Sequence, residues 1–118
     1  MQIVTQRIYE DYAPAGYRVL VDRLWPRGIS KEGAALDDWW KDLAPSDGLR
    51  KWFQHEPEKW AEFRREYKRE LSAHRAEAET LLHQVKKKKL VLLYGAKSED
   101  YNHALGLKDY LESLQEGD

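Results

Sequence analysis

Two arginines flank a tryptophan in the most distinctive stretch of the 118-residue chain, which runs from Asp22 to Gly28. Arg23 and Arg27 carry planar guanidinium groups that suit the oxygens of a carboxylate or a phosphate, and Trp25 offers a ring on which a ligand can stack. This pattern predicts a clamp for an anion. A structural interpretation fits equally well, in which Arg23 pairs with an acidic residue, Trp25 fills the core and Arg27 lies in solvent.

A second polar cluster follows the apolar run Leu90–Tyr94 and contains Lys97, Asn102 and His103. A strand that leads through a short loop to a helix N-terminus directs backbone N–H groups at one spot, and Lys97 adds a positive charge there. His103 lies in the first turn, where its imidazole can donate to an anion or act as a general base. In the structural interpretation, Asn102 caps the helix and His103 bonds a neighbouring loop.

The sequence offers no pattern for a metal or a bound cofactor. The chain has four histidines and no cysteine, and no two histidines stand three or four residues apart beside a completing carboxylate. Asp37 and Asp38 are adjacent, so their side chains point apart on a strand and form no acid–base pair. The stretch Gly95–Ser98 lacks the spacing of a phosphate-binding loop. We therefore predict neither a metal nor a cofactor.

The hydrophobic pattern predicts strands before both polar clusters. Tyr17–Leu24 contains a continuous apolar run and Leu90–Tyr94 is apolar throughout, which is typical of strands buried on two faces. Gln2–Tyr9 is predicted to be a further strand, and Ala13–Gly16 a turn. A last helix is predicted over about Tyr101–Gln115.

A long amphipathic pattern covers residues 57–87. Apolar residues recur there every three or four positions, and Pro57 suits the first turn of a helix. The arginines at positions 64, 65 and 69 lie off the apolar stripe and are predicted to face water. The pattern fits one helix, or two helices joined near Ser72–His74.

Strands and helices in this order predict one compact α/β domain over residues 1–118, with a mostly parallel sheet flanked by helices. In such sheets, ligands bind outside the carboxyl ends of the strands. We therefore expect His103 to meet the cations of the two clusters at one edge; these are Arg23, Arg27 and Lys97. On a continuing strand, Asp22 would point to the opposite face from Arg23 and would not neutralise it.

Charge and composition argue against several classes of protein. The chain holds 20 Lys and Arg against 21 Asp and Glu, a net charge of −1, whereas nucleic-acid binders usually carry a positive domain or stripe. The one dense basic run, Lys86–Lys89, suits a solvated helix end. No apolar run is long enough to span a bilayer, and no secretory signal is visible. We expect a cytoplasmic protein without nucleic-acid or membrane partners.

Four stretches of the chain together resemble one protein family. They are GYRVLVDRLWPRG at Gly16–Gly28, LAPS at Leu43–Ser46 with Leu49 and Arg50, WAEF at Trp60–Phe63 with Tyr67, Glu70 and Leu71, and LVLLYGAKSEDYNHAL at Leu90–Leu105. Because they follow in order over nearly the whole chain, the sequence resembles the YeaO-like family of uncharacterised bacterial proteins, domain of unknown function 488. The resemblance implies a compact α/β domain and no established reaction. One departure is Gly95, where the resemblance implies a slightly larger small residue.

Two functions of different classes remain open. The first is a site for a small anionic ligand, such as a phosphate, a nucleotide or a carboxylate, at the strand ends. Its candidate ligand-binding residues are Arg23, Trp25, Arg27, Lys97, Asn102 and His103. Whether the protein is an enzyme stays open, and His103 is the candidate general base. The second is a non-catalytic protein-interaction module or homodimer, which would use an exposed aromatic patch of Trp39, Trp40, Trp52 and Phe53.

Overall fold

A four-stranded sheet lies at the centre of the computed structural model, which describes residues 1–10 and 15–116. The strands are β1 (Gln2–Arg7), β2 (Tyr17–Leu20), β3 (Asp38–Trp39) and β4 (Lys89–Tyr94), in the spatial order β1-β4-β2-β3. All three neighbouring pairs are parallel, so the strands share one carboxyl edge. The predicted α/β class is confirmed, and the sheet is parallel throughout its described strands.

Both faces of β4 are covered, as its uninterrupted apolar run predicts. Leu90 and Leu92 pack into a large core on one face, whereas Val91 and Leu93 pack into a second cluster on the other. These four side chains are at most 1% exposed. The central position of β4 therefore follows directly from its composition.

In the described part of the chain, five α-helices surround the sheet. They are α1 (Lys31–Ala34), α2 (Asp47–Phe53), α3 (Trp60–Ala73), α4 (Arg75–Gln84) and α5 (His103–Glu116). Helices α2 to α5 contribute to the large core, whereas α1 and the loops around it cover the opposite face. None of these helices has the length and the apolar character needed to cross a bilayer.

The amphipathic pattern over residues 57–87 forms two helices rather than one. His74 separates α3 from α4 with a non-helical φ of −114° and ψ of 27°, and its N–H bonds to the carbonyl of Leu71. The apolar stripe of α3 is buried, with Phe63 and Tyr67 each 1% exposed. The three arginines at positions 64, 65 and 69 are exposed, as predicted.

Strand β2 ends at Leu20, four residues earlier than the sequence predicts. The N–H of Val21 still bonds to the carbonyl of Leu93 at 3.0 Å, and the chain then leaves the sheet towards Pro26, which has no N–H to donate. The side chains therefore no longer alternate at Asp22. The expectation for Asp22 applied to a continuing strand, and that condition is not met; Asp22 and Arg23 both line one pocket. The predicted turn at Ala13–Gly16 lies partly outside the described residues.

Candidate functional site

A pocket of about 300 Å³ opens at the carboxyl edge of the sheet, and we call it the strand-end pocket. Its walls come from the segments that follow β1, β2 and β4, from α2 and the turns at its two ends, and from the first residue of α5. The polar and small residues that shape it include Tyr9, Asp22, Arg23, Arg50, Gly95 and His103. The pocket therefore lies where ligands bind in parallel α/β sheets.

Asp22 and His103 form the polar centre of the strand-end pocket. Oδ2 of Asp22 accepts a hydrogen bond from the N–H of Gly95 at 2.9 Å, and Oδ1 lies 3.0 Å from Nε2 of His103. Nε2 also lies 3.1 Å from the carbonyl oxygen of Val21. The two side chains are only 19% and 13% exposed, so their contact is shielded from solvent.

These contacts fix the tautomer of His103. A carbonyl oxygen only accepts hydrogen bonds, so Nε2 must carry the proton that it shares with Val21. The Nε2–H bond is directed at that carbonyl, and Oδ1 of Asp22 is buried without an aligned donor. Only Nδ1 of His103 is left to act as a base. Within the described residues, no group of three or more histidine and carboxylate side chains is arranged to hold a metal ion.

Gly95 allows the close approach of Asp22 to β4. A Cβ at this position would lie 2.9 Å from Oδ2 of Asp22, which is closer than real Cβ contacts. The next nearest atom would be Cε2 of Tyr9 at 3.8 Å, an ordinary contact. A residue larger than glycine at position 95 would therefore displace the Asp22 carboxylate.

Arg23 is held by backbone carbonyls rather than by a close carboxylate. Its Nη2 donates to Ala44 at 3.2 Å and to Pro45 at 3.3 Å, and its Nε donates to Pro45 at 3.4 Å. Among the described residues, the nearest acidic group is Asp47, 3.9 Å from Nε, and Asp47 lies closer to Arg50 at 3.2 Å. The guanidinium is thus oriented but only weakly neutralised, and 35% of the side chain is exposed.

Trp25 and Arg27 each have a structural contact. The indole N–H of Trp25 donates to Ile29 at 2.7 Å, and its ring meets Trp39 edge-on at 5.4 Å. Trp25 also lines the strand-end pocket. Arg27 is exposed and does not line the pocket, and its carbonyl accepts the hydroxyl of Tyr9 at 2.8 Å.

Asn102 and Lys97 also lie apart from the pocket lining. Asn102 is fully buried, and its Nδ2 donates to the carbonyls of Ser98 and Glu99 at 2.9 and 3.2 Å. Its Oδ1 accepts from Leu105, as in a helix cap. Lys97 is exposed. Of the six sequence-predicted residues, the structure brings three together in the pocket lining: Arg23, Trp25 and His103.

Tyr9, Arg50 and His55 line the pocket although the sequence analysis did not select them. Tyr9 follows β1, so the rule of strand ends could have found it. Its ring is fixed, because Arg7 stacks over it at 4.7 Å and itself donates to Ala96 at 2.9 Å. Arg50 and His55 belong to α2 and its following turn. Their place depends on how α2 packs, which no local pattern reveals.

The four aromatic residues of the alternative function do not form one exposed patch. Trp40 and Phe53 are 2% and 3% exposed and belong to the large core. Trp39 is half-buried and packs on the opposite face of the sheet, where its indole N–H donates to the carbonyl of Asp22 at 2.6 Å. Trp52 is the one member of the four that is exposed, at 38%.

Tyr67 supports the pocket from within the core. Its hydroxyl donates to the carbonyl of Leu43 at 2.6 Å, and its ring meets that of His103 edge-on at 6.5 Å. Burial raises the pKa of Tyr67 well above its usual value, and the carboxylates of Glu70 and Asp22 raise it further. The phenol therefore remains a protonated donor beneath the pocket.

The protein is therefore of the parallel α/β class, with a polar pocket at the carboxyl edge of its sheet. The family model DUF488-N3i, described as "Inactive DUF488-N3 subclade", matches residues 2–118. The chain belongs to this family, as the resemblance in its motifs predicted.

Curated bacterial relatives agree with this membership. The uncharacterized protein YeaO of Escherichia coli K12 is 49% identical over 115 residues, which cover 97% of this chain and all of YeaO. The uncharacterized proteins Mb3100c of Mycobacterium bovis and Rv3073c of Mycobacterium tuberculosis are each 50% identical over 74 residues. Those alignments cover 62% of this chain and 63% of each relative. No solved structure matches the chain.

Proposed function

We propose that the strand-end pocket binds a small anionic ligand and does not transform it. The observation that carries this proposal is the state of Arg23. Its guanidinium is oriented by the carbonyls of Ala44 and Pro45, lines the pocket, and has its nearest carboxylate at 3.9 Å. Carbonyls orient a guanidinium without cancelling its charge, so Arg23 remains able to pair with a carboxylate or phosphate.

The other charges around the pocket favour the same ligand. Arg50 adds a second cation to the lining, and it shares Asp47 with Arg23. Asp22, the acidic residue of the lining, already accepts the N–H of Gly95, and its Oδ1 lies 3.0 Å from Nε2 of His103. An anion between the two arginines is therefore favoured over a cation.

A binding role fits the residues better than a catalytic one. Nε2 of His103 is occupied by protein acceptors, so His103 could act as a general base only through Nδ1. The family description calls this subclade inactive, which supports binding without turnover. The proposed contacts are therefore Arg23 and Arg50 to the anion, with Tyr9 and Trp25 beside it.

Ligand-dependent stabilisation tests the proposal. Phosphate, sulfate, AMP and succinate are added separately to the parent protein and to the Arg23→Gln and Arg50→Gln variants. Arg69→Gln is the control, because the Arg69 side chain is 81% exposed on the far side of α3's apolar stripe. A bound anion at a hundredfold excess over its Kd raises the free energy of unfolding by about 2.7 kcal/mol. We expect Arg23→Gln and Arg50→Gln to reduce this gain and Arg69→Gln to retain it.

The location of binding is read from amide NMR shifts. Addition of the stabilising anion should move the amide signals of Gly95 and Ala96, which line the pocket. Arg50→Gln matters here because it leaves the hydrogen bonds of Arg23 to the carbonyls intact. Equal stabilisation of all four proteins, with unmoved Gly95 and Ala96 signals, would contradict the proposal and favour a protein-interaction module.

A further inference from the structure

A second cavity, of about 320 Å³, lies between helices α3 and α5, and we call it the α3–α5 groove. It shares no lining residue with the strand-end pocket. Small residues on both helices, Ala61 and Gly106, leave room for it. Gly106 lies against the ring of Tyr67, where an added Cβ would be 3.0 Å from Cδ2. The two helices thus meet closely below the groove and leave a recess above it.

The α3–α5 groove carries an excess of positive charge. Arg64, Arg65 and Lys68 line it from α3, whereas α5 contributes one carboxylate, that of Asp109. Arg64 forms an ion pair with Asp109 across the groove, which neutralises this carboxylate. Within residues 1–10 and 15–116, Arg65 and Lys68 form no ion pair. Two uncompensated cations therefore face one cavity.

Tyr110 adds an uncharged donor to the α3–α5 groove. Its side chain lines the groove, and the residue is only 6% exposed. Among the residues that the structure describes, its hydroxyl has no hydrogen-bond partner, whereas the hydroxyl of Tyr67 bonds to Leu43. The hydroxyl oxygen is not fully enclosed, so it is open to solvent in the groove. The hydroxyl of Tyr110 is thus a free donor beside the cations.

We propose that the α3–α5 groove binds a small molecule through its phosphate group, at a site separate from the strand-end pocket. Arg65, Lys68 and the Tyr110 hydroxyl are three donors from two helices. A phosphate monoester offers three acceptor oxygens and close to two negative charges, whereas a carboxylate offers two oxygens and one charge. The donor set and the charge excess therefore match phosphate better.

Titration with pyrophosphate, followed by amide NMR, tests this site. Binding in the groove should move the signals of Gly106 and Ser113, which line the groove. Gly95 and Ala96 line the strand-end pocket instead, so their signals report on the other site. Lys68→Gln should weaken the Kd read from Gly106 about tenfold, since a charge-assisted contact is lost. Tyr110→Phe removes only the hydroxyl and should weaken it several-fold. The control Arg69→Gln should leave it within about twofold.

Removing a negative charge from the groove should increase its affinity for pyrophosphate. Asp109→Asn removes the carboxylate of the groove and releases Arg64, so pyrophosphate should bind several-fold more tightly. Unmoved Gly106 and Ser113 signals would overturn the proposal. So would an equal loss of affinity in Lys68→Gln and Arg69→Gln, which indicates diffuse attraction, or equally tight binding of succinate. Because Gly95 reports on the other site, failure here is distinguishable from failure of the proposed function.

Discussion

At the scale of single residues, Asp22 connects the elements that form the strand-end pocket. Its Oδ2 takes the N–H of Gly95, which links the end of β2 to the end of β4. Its Oδ1 is buried beside Nε2 of His103, which links the same carboxylate to α5. A buried carboxylate is costly unless charges or donors compensate it. Three elements therefore depend on one side chain that packs against a glycine.

Replacing Gly95 tests how tightly this carboxylate is held. In Gly95→Ala, the new Cβ would lie 2.9 Å from Oδ2 of Asp22, so the carboxylate must move and lose its bond to the backbone. We expect the free energy of unfolding, measured in urea, to fall by about 1–3 kcal/mol. The matched control is Gly48→Ala, where no atom lies within 4 Å of the added Cβ.

The control substitution should act in the opposite direction. Gly48 lies in α2, where alanine is favoured over glycine by about 0.5–1 kcal/mol. Gly48→Ala should therefore be neutral or stabilising. Gly95→Ala could instead be as stable as the parent and leave the NMR signals of His103 unchanged. The Asp22 carboxylate would then move without cost and would not be tightly held by Gly95 and His103.

Sequence reasoning found those pocket residues that follow directly from strand ends. Arg23 and His103 were selected because parallel strands share a carboxyl edge. The direction of the Asp22 side chain could not be predicted, because β2 ends at Leu20 and the alternation of a strand does not extend to Asp22. Lys97 was expected at the same edge, yet a loop residue has no periodicity from which its direction can be predicted.

At the scale of elements, α5 depends on the buried amide of Asn102. This side chain bonds the N–H of Leu105 and the carbonyls of Ser98 and Glu99, so it joins the helix start to the loop before it. These contacts support the structural interpretation of Asn102. They also place His103 at the first position of the helix, where its ring reaches the strand-end pocket.

Asn102→Ala separates a structural role from ligand binding. The change removes a cap and takes the amide donor from the carbonyls of Ser98 and Glu99, so the free energy of unfolding should fall by about 1–3 kcal/mol. Asn102→Asp keeps the acceptor for Leu105 and loses both donations, so it should also destabilise. The Kd for the stabilising anion, measured well below the Tm, should change less than about twofold in Asn102→Ala. A large loss of affinity without loss of stability would instead make Asn102 a ligand-binding residue.

The elements that the sequence predicted well are those with strong local signals. Ser46 is of a type that favours the N-cap position, and its hydroxyl accepts the N–H of Leu49 at 3.2 Å at the start of α2. The break at His74 carries no glycine or proline, so the amphipathic pattern runs through it and fits one helix as well as two joined near Ser72–His74. Strand β3 has only two residues, Asp38 and Trp39, too few to show any alternation.

At the scale of the whole molecule, the two faces of the sheet are covered differently. Four helices bury one face, whereas the other is closed by α1, by the loop residue Trp25 and by Trp39 of β3. The continuous apolar run in β4 predicted burial on both faces but could not specify what provides it. The loop that covers the second face also carries Arg23 and Trp25 to the strand-end pocket, so folding of this face and assembly of the pocket are coupled.

Tyr67 connects stability of the whole fold to alkaline pH. Burial, Glu70 and Asp22 raise the pKa of its hydroxyl in the folded state, whereas the unfolded chain titrates near the usual value of 10.0. Above that pH the unfolded chain loses the proton first, so this contribution is fully present below about pH 10 and is lost as the pH rises. The free energy of unfolding should then fall by up to about 1.4 kcal/mol per pH unit from this residue.

Tyr67→Phe should remove this part of the pH dependence. The variant loses the hydrogen bond to Leu43 and is expected to be about 1–2 kcal/mol less stable at pH 7. Between pH 10 and 11.5 its free energy of unfolding should fall less steeply than that of the parent, so the two curves converge. The residual slope comes from Tyr17 and Tyr94, whose pKa values are also raised, chiefly by burial. Urea unfolding at closely spaced pH values measures both slopes, and parallel curves would show that the Tyr67 hydroxyl is not held protonated by the fold.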